Sequence, residues 1–376
     1  MGRKGSPRSP QAEGGSRAAS PPSPLWALPE ELLLLICSYL DAQALGRLAQ
    51  VCRRLRFLSS RDVLWRRIAR GCLNSGFTQL GTDLLMPWME LDGKYLYLSQ
   101  AENIQAYHLC AEGTGLQCHP QAIFSGHQED VCRFVLVNSN IVSGGGDGSI
   151  VLHKIHGSYS VKFSAHEQEV NCVDFQGGLI VSGSRDRTAK VWSLSAGRVG
   201  QCLHTVQTED RVWSIAISPL LSSFVTGTAC CGHISPLRIW DLESGQLLTC
   251  LGTDFHRGAG VLDVFYETPS LLLSCGYDTY IRYWDIRTST RKCVQEWEEP
   301  HDSALYCIRS DKNHMIASGS SYYGVVRLWD KRQTQCLQSF HLSSPTSSPV
   351  YCLRFSTTHL YAALASALHV LDFTAS

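Results

Sequence analysis

The sequence predicts an all-β, seven-bladed propeller preceded by a small N-terminal α-helical module and a disordered N-terminal tail. Three observations carry that prediction. Trp192, Trp240, Trp284 and Trp329 recur 44 to 48 residues apart, each near the end of short apolar runs broken by Gly, Asp and Ser. Between Leu28 and Arg70 the apolar residues instead recur every three or four positions, the period of a helix. Residues 1–25 are rich in Gly, Ser, Pro and Arg and contain almost nothing to bury.

In the tail, Ser6, Ser9, Ser20 and Ser23 each precede a proline and are candidates for phosphorylation in an otherwise solvated segment. Gly2 and Ser6 fit a loose myristoylation pattern, but the bulky charge of Arg3 makes a poor neighbour. The helical module, 26–72, opens with LPEELLLLICSYL, Leu28 to Leu40. A membrane-spanning helix needs about 20 mostly apolar residues. Pro29, Glu30 and Glu31 interrupt this run, Asp41 ends it, and a second helical pattern follows where a secretory signal would show small residues and a cleavage site. No membrane segment is expected. Leu32, Ile36 and Leu40 predict one face of a first helix. Asp41 caps a second helix bearing Leu45, Leu48, Cys52 and Leu55. Ser59 and Asp62 introduce a third, bearing Leu64, Trp65 and Ile68. A unit of about 45 residues is marginal alone. Its surplus apolar residues therefore read as a partner interface, or as a core packed on the larger domain. The cluster of Arg47, Arg53, Arg54, Arg56, Arg61, Arg66, Arg67 and Arg70 suits an acidic partner or a solvated basic face.

Residues 73–87 form a short linker and 88–376 the propeller. AHEQEVNCVDFQGGLIVSGSRDRTAKVW, 165–192, and HDSALYCIRSDKNHMIASGSSYYGVVRLWD, 301–330, are self-similar. His153 and Tyr107 take the tryptophan position in earlier repeats and Leu371 takes it in the last, which makes seven repeats. The last repeat supplies only three strand patterns. Either Thr78–Met86 closes its sheet or the ring is incompletely sealed, and so short a segment predicts a less stable ring than a longer linker would give.

Zero net charge and a pI near 7.2 give no general attraction to nucleic acid or anionic lipid. Sixteen cysteines lie scattered with no C-x-x-C pair, as free thiols in a reducing compartment would; the expected location is cytoplasmic and/or nuclear. G-x-S-x-G, H-E-x-x-H, P-loop and dinucleotide patterns are all missing, so no catalytic residue, cofactor or metal is expected. CCGH, Cys230 to His233, reads as a hairpin loop, since zinc wants four ligands and no second pair lies nearby.

LPEELLLLICSYL, LGRLAQVCRRLRFLSS and LWRRIA together resemble the F-box, whose ordered pattern is matched by Leu28, Pro29, Leu32, Ile36, Val51, Cys52, Leu64 and Trp65. Ser125–His127 and the Trp-Asp pairs at 240–241, 284–285 and 329–330 match the WD-repeat signature. The combined order resembles the F-box/WD substrate receptors, and AHEQEVNCVD and TGTACCGH sharpen the likeness to one member of that family. The resemblance implies an F-box docked on a Skp-family adaptor and, through it, on cullin and RING subunits of an SCF ubiquitin ligase. The propeller would hold a protein substrate for a separate catalytic enzyme, with no nucleic acid and no membrane among the partners. The alternative is a non-degradative interaction scaffold.

The resemblance also implies a buried His–Ser–Asp–Trp chain. His166, Ser182, Asp186 and Trp192 match it fully. His256, Ser274, Asp278 and Trp284 match if His256 takes the first place, and His301, Ser318 and Trp329 match without the Asp. Related receptors read phosphopeptides with arginines one residue into the innermost strand or in a Ser-Gly-Ser-Arg-Asp turn. Here the turn arginine is Arg185, the strand positions hold Cys132, Asn171, Trp213, Leu262, Tyr306 and Tyr351, and Arg133 is one place out of register. One arginine cannot supply the several contacts a doubly charged phosphate needs. The expected substrate-binding mouth is Arg185, Trp213, Tyr277, Tyr306 and Tyr351, favouring an apolar or aromatic element.

Overall fold

A computed structural model describes residues 28–374 apart from 38, 41, 60, 62–76, 83–87, 111–114, 118, 196, 231–233, 254, 289, 299–302 and 343–347. The chain divides into two compact units, Met1–Gly71 with Ser376, and Cys72–Ala375.

The first unit contains α1 (Glu30–Cys37), α2 (Ala42–Val51) and α3 (Arg53–Ser59). Proline cannot continue a helix backwards, and α1 starts directly after Pro29, whose carbonyl accepts the N–H groups of Leu32 and Leu33. Leu33, Cys37, Leu45, Leu55 and Leu58 are buried, with Leu34, Leu40 and Leu48 packed against them. The inward face of α1 is thus Leu33 and Cys37. Leu32 and Ile36, expected to share a face with Leu40, point away from this core and are 45% and 46% exposed. The expected second helix divides at Cys52, so that Leu55 belongs to α3, and Ser59 is the last residue of α3. The helix expected around Leu64, Trp65 and Ile68 lies outside the described residues.

The second unit comprises seven four-stranded antiparallel sheets. Six are built from consecutive strands within 89–125, 131–164, 170–207, 212–251, 261–298 and 305–341. The seventh joins Val350–Phe355, His359–Leu364 and Ala367–Asp372 to Thr78–Thr82, an edge strand from the other end of the unit. The ring is therefore closed by the first of the two alternatives, and the closing strand lies within the segment expected to be linker. Its register runs Thr78↔Val370 to Thr82↔Ala367 with one irregularity between Gln79 and Gly81. Phe77, just before it, packs edge-on against Phe340 of blade six at 5.2 Å.

The first strands of successive blades adjoin in a circle, with the first blade touching both the second and the seventh. The periodic position falls in the third strand of every blade, and where it is tryptophan it stands opposite a buried residue of the second strand: Ile180↔Trp192, Phe224↔Trp240, Leu272↔Trp284 and Ile316↔Trp329. Four indole N–H groups donate to a hydroxyl two positions on, Ser182, Thr226, Ser274 and Ser318, each at 2.9 Å. This is how a large polar-edged ring stays buried without an unpaired donor. After three of these hydroxyls, Ser182, Thr226 and Ser318, a glycine follows and lets the next blade come close: a Cβ on Gly183 would sit 2.5 Å from Val212 Cγ1.

Candidate functional site

The side chains at the mouth of the ring owe their direction to a repeated backbone irregularity. In blades two to seven the first strand skips one residue in its pairing with the second: between Val131 and Arg133, Val170 and Cys172, Val212 and Ser214, Val261 and Asp263, Leu305 and Cys307, and Val350 and Cys352. The skipped residues are Cys132, Asn171, Trp213, Leu262, Tyr306 and Tyr351. A β-bulge re-aims its extra residue, and all six line one cavity of about 660 Å³. Tyr306 and Tyr351 meet edge-to-face there at 5.9 Å, and the Arg211 guanidinium lies 5.6 Å from the centre of the Trp213 ring.

Two residues of the expected mouth are not among those lining this cavity. Arg185 lines a neighbouring one and points its guanidinium at Glu169, 3.3 Å away, with both side chains about half exposed. Tyr277 is 43% exposed but lines neither. Three carboxylates that sequence reasoning missed, Glu129, Asp130 and Glu169, take part in the lining. Glu129 and Asp130 make no ion pair among the described residues. Burial first, then the nearby carboxylates of Glu169, Asp130, Asp147 and Glu129, push the Cys132 thiol up to about 12, so it stays protonated and inert as a nucleophile.

The floor of the cup is Trp88 and Arg133, which also line a second cavity of about 410 Å³ continuing along the ring axis. Arg133 lies 3.9 Å over the Trp88 ring and donates to Asp263 at 2.9 Å. Asp263 is 1% exposed and also accepts from Arg309 at 2.5 Å and from the backbone N–H groups of Ile308 and Val264. Although burial opposes ionisation, Arg309 and Arg133 hold the Asp263 carboxyl below the usual carboxylate range. One carboxylate thus ties blades two, five and six together across the axis. Arg354, paired with Glu90, completes the cluster around Trp88. Arg133 is out of register for a substrate contact because it faces this axial cluster.

The buried polar chain of blade three is assembled by His166 Nε2 to Ser182 Oγ at 2.7 Å, His166 Nδ1 to Asp186 at 2.9 Å, and the Trp192 N–H to Ser182. A second chain went unrecognised in the sequence: His127 reaches Ser143 at 2.8 Å and Asp147 at 3.1 Å in blade two. Its signal was the Ser125–His127 triplet followed by Asp147 in GGGDGS. Burial holds both imidazoles below their ordinary value, while hydrogen bonds keep Asp147 and Asp186 ionised. His256 does not join blade five. It is exposed, and Asp278 pairs with Arg282 at 2.6 Å, leaving only the Ser274–Trp284 link. His301 lies outside the described residues, as do 231–233 of CCGH.

Of the expected adaptor-binding residues, Leu28 is half-buried, Pro29, Leu32, Ile36, Val51 and Cys52 are exposed, and Leu64 and Trp65 are outside the described residues. Leu35, Tyr39 and Phe57 add to the exposed apolar surface of this unit.

Comparison with known proteins matches both units. The F-box-like family model matches residues 25–71, and the WD domain, G-beta repeat model matches 157–193, 246–285 and 291–330. F-box/WD repeat-containing protein 4 of Homo sapiens, dactylin, is 65% identical over 346 residues, covering 84% of this chain and 84% of the relative. Its Mus musculus counterpart is 66% identical over 334 residues, covering 80% and 82%. The WD40 β-propeller domain of Doa1 superposes with a TM-score of 0.61 over 78% of this chain and 93% of that one, at 19% identity, a likeness of fold alone. With both units matched and two thirds of the aligned residues shared, the chain belongs to the F-box/WD-repeat protein family.

Proposed function

We propose that this chain is the substrate-recognition subunit of an SCF ubiquitin ligase. Its helical unit docks on a Skp-family adaptor, which connects it to cullin and RING subunits, and its propeller holds the target protein. The chain itself is non-catalytic; it contributes proximity, which converts a bimolecular transfer into an intramolecular one. It works in the cytoplasm or nucleus, a placement supported by the free state of every cysteine among the described residues.

The observation that carries this reading is the inverted economy of the helical unit. A module this small needs its leucines inside, yet Leu32, Leu35, Ile36, Val51 and Phe57 are each 45% exposed or more. Apolar residues left outside so small a core mark a partner surface. Burying Leu32 and Ile36 against an adaptor is worth about 1.5–3 kcal/mol each. Replacing both, Leu32→Asp with Ile36→Asp, is expected to weaken binding of the full chain to a purified Skp-type adaptor by about 100-fold or more. The thermal transition of the propeller should not move. Undiminished capture by the double variant would overturn the proposal. On the propeller, Trp213, Tyr306 and Tyr351 are the proposed substrate contacts, with Arg185 and Tyr277 flanking them outside the cup.

A further inference from the structure

The mouth of the propeller is not built for an anion. The cup at the start of the first strands has three aromatic side chains, Trp213, Tyr306 and Tyr351, and three carboxylates, Glu129, Asp130 and Glu169. Its one lining cation is Arg133, and that charge is already spent on Asp263 and on the face of Trp88; Arg211, outside the lining, stands 5.6 Å from the centre of the Trp213 ring, so the two tyrosine faces are the ones left open to a further cation. Glu169 is shared with Arg185, but Glu129 and Asp130 have no cationic partner among the described residues. The Glu129 carboxylate is also positioned, not merely present. It lies over Gly146, another lining residue, where a Cβ would come 2.7 Å from Oε2. Aromatic faces attract a cation through their quadrupole, and a guanidinium or ammonium over Trp or Tyr is held better still when carboxylates stand beside it. A phosphate would meet the same carboxylates as repulsion.

We propose that this cup receives a basic side chain, Arg or Lys, from an extended segment of the target protein. The cation lies against Tyr306 and Tyr351, with Trp213 in the same lining, and Glu129 and Asp130 neutralise it at the rim. The inference rests on the substrate-receptor reading and specifies the class of substrate. It replaces the apolar or aromatic preference expected from the sequence with a cationic one. The volume of about 660 Å³ suits a side chain with its flanking backbone.

The test uses the full chain in complex with the adaptor and three capped, dye-labelled dodecapeptides on one Gly/Ser background. One carries four Arg, one four Gln, and one two phosphoserines. Fluorescence anisotropy at low and moderate salt gives each affinity. The Arg peptide is expected to bind at least tenfold more tightly than the Gln peptide, with an advantage that shrinks as salt rises. Glu129→Gln with Asp130→Asn should lose about tenfold, as should Trp213→Ala. Gly146→Ala, which displaces the Glu129 carboxylate without removing a charge, should lose less than either. Adaptor capture and the melting temperature, measured on the same samples, separate a failed cup from a failed fold and from a failed receptor reading. As a variant that does not depend on loss, Glu129→Arg with Asp130→Arg should reverse the preference towards the phosphopeptide. Equal binding of the Arg and Gln peptides overturns the proposal, as does tighter binding of the phosphopeptide to the unaltered chain. An Arg peptide that binds only after residues 1–27 are deleted would make the chain's own basic tail the occupant, and would overturn the proposal for an outside partner.

Discussion

Asp263→Ala is the substitution with the largest expected structural consequence. The carboxylate is 1% exposed and serves four donors: Arg133 at 2.9 Å, Arg309 at 2.5 Å, and the N–H groups of Ile308 and Val264 at 3.1 Å. Removing it leaves two guanidinium groups inside the ring without their counter-charge. Breaking a buried pair in this way costs about 3–5 kcal/mol, because the abandoned charge keeps its desolvation penalty. The two backbone donors lose an acceptor as well, but water entering the axial cavity of about 410 Å³ can replace part of that. A net loss of about 4 kcal/mol lowers the melting temperature of a domain this size by roughly 10 °C. Differential scanning calorimetry of the full chain reads it directly. Replacing the three partners together, Asp263→Leu with Arg133→Met and Arg309→Met, should restore most of the loss, since the remaining Arg354 keeps its own partner Glu90 and no charge is stranded. A fall of less than 2 °C for Asp263→Ala, or a triple variant no better than the single, would refute the idea that this carboxylate clamps blades two, five and six.

Gly183→Ala places a Cβ 2.5 Å from Val212 Cγ1 and 2.8 Å from Cys172 Sγ, so about 1–3 kcal/mol of overpacking is expected in urea denaturation. Deleting Thr78–Thr82 exposes the edge of Ala367–Asp372, and light scattering on warming should show aggregation well below the wild-type transition. Acid should destabilise the propeller. Burial lowers the folded-state values of His127, His153, His166 and His369 below the ordinary 6.5, so the unfolded chain binds more protons there and stability falls as pH drops through 6.5. Asp147 and Asp186, held below the ordinary carboxylate value, extend the loss to lower pH; among the described residues Asp174 alone of the carboxylates is pushed up by burial and works against it. A melting temperature higher at pH 5.5 than at pH 7.5 would contradict that assignment of neutral imidazoles.

The blades were legible because four of them repeat the same solution to the same burial problem. A third-strand tryptophan donates to a second-strand hydroxyl, in three of the four with a glycine next in sequence, so Trp192, Ser182 and Gly183 announce the sheet before any strand is drawn. The first helix was legible as a helix but not in its orientation. LLLLIC is apolar at every position, and a period cannot choose between Leu32–Ile36 and Leu33–Cys37 when both pairs fit. The break at Cys52 was hidden for a similar reason, since Leu48, Cys52 and Leu55 keep helical spacing across two helices. In the cup, the bulged aromatics could be found by aligning the repeats. Glu129 and Asp130 could not, because they precede the strand in what reads as a solvated turn. Arg133 looked like a misplaced ligand contact until its bond to Asp263, 130 residues away, fixed its direction.

In this division of labour one unit of the chain holds the ligase and the other the target. The most direct measurement is ubiquitin transfer in a reconstituted adaptor–cullin–RING assembly with its conjugating enzyme. The target is a carrier protein bearing the four-Arg segment and a nearby lysine. Transfer is expected to require the full chain and to fall to background with Leu32→Asp and Ile36→Asp or with Glu129→Gln and Asp130→Asn. Transfer that proceeds equally with either double variant, or without the chain, would contradict it.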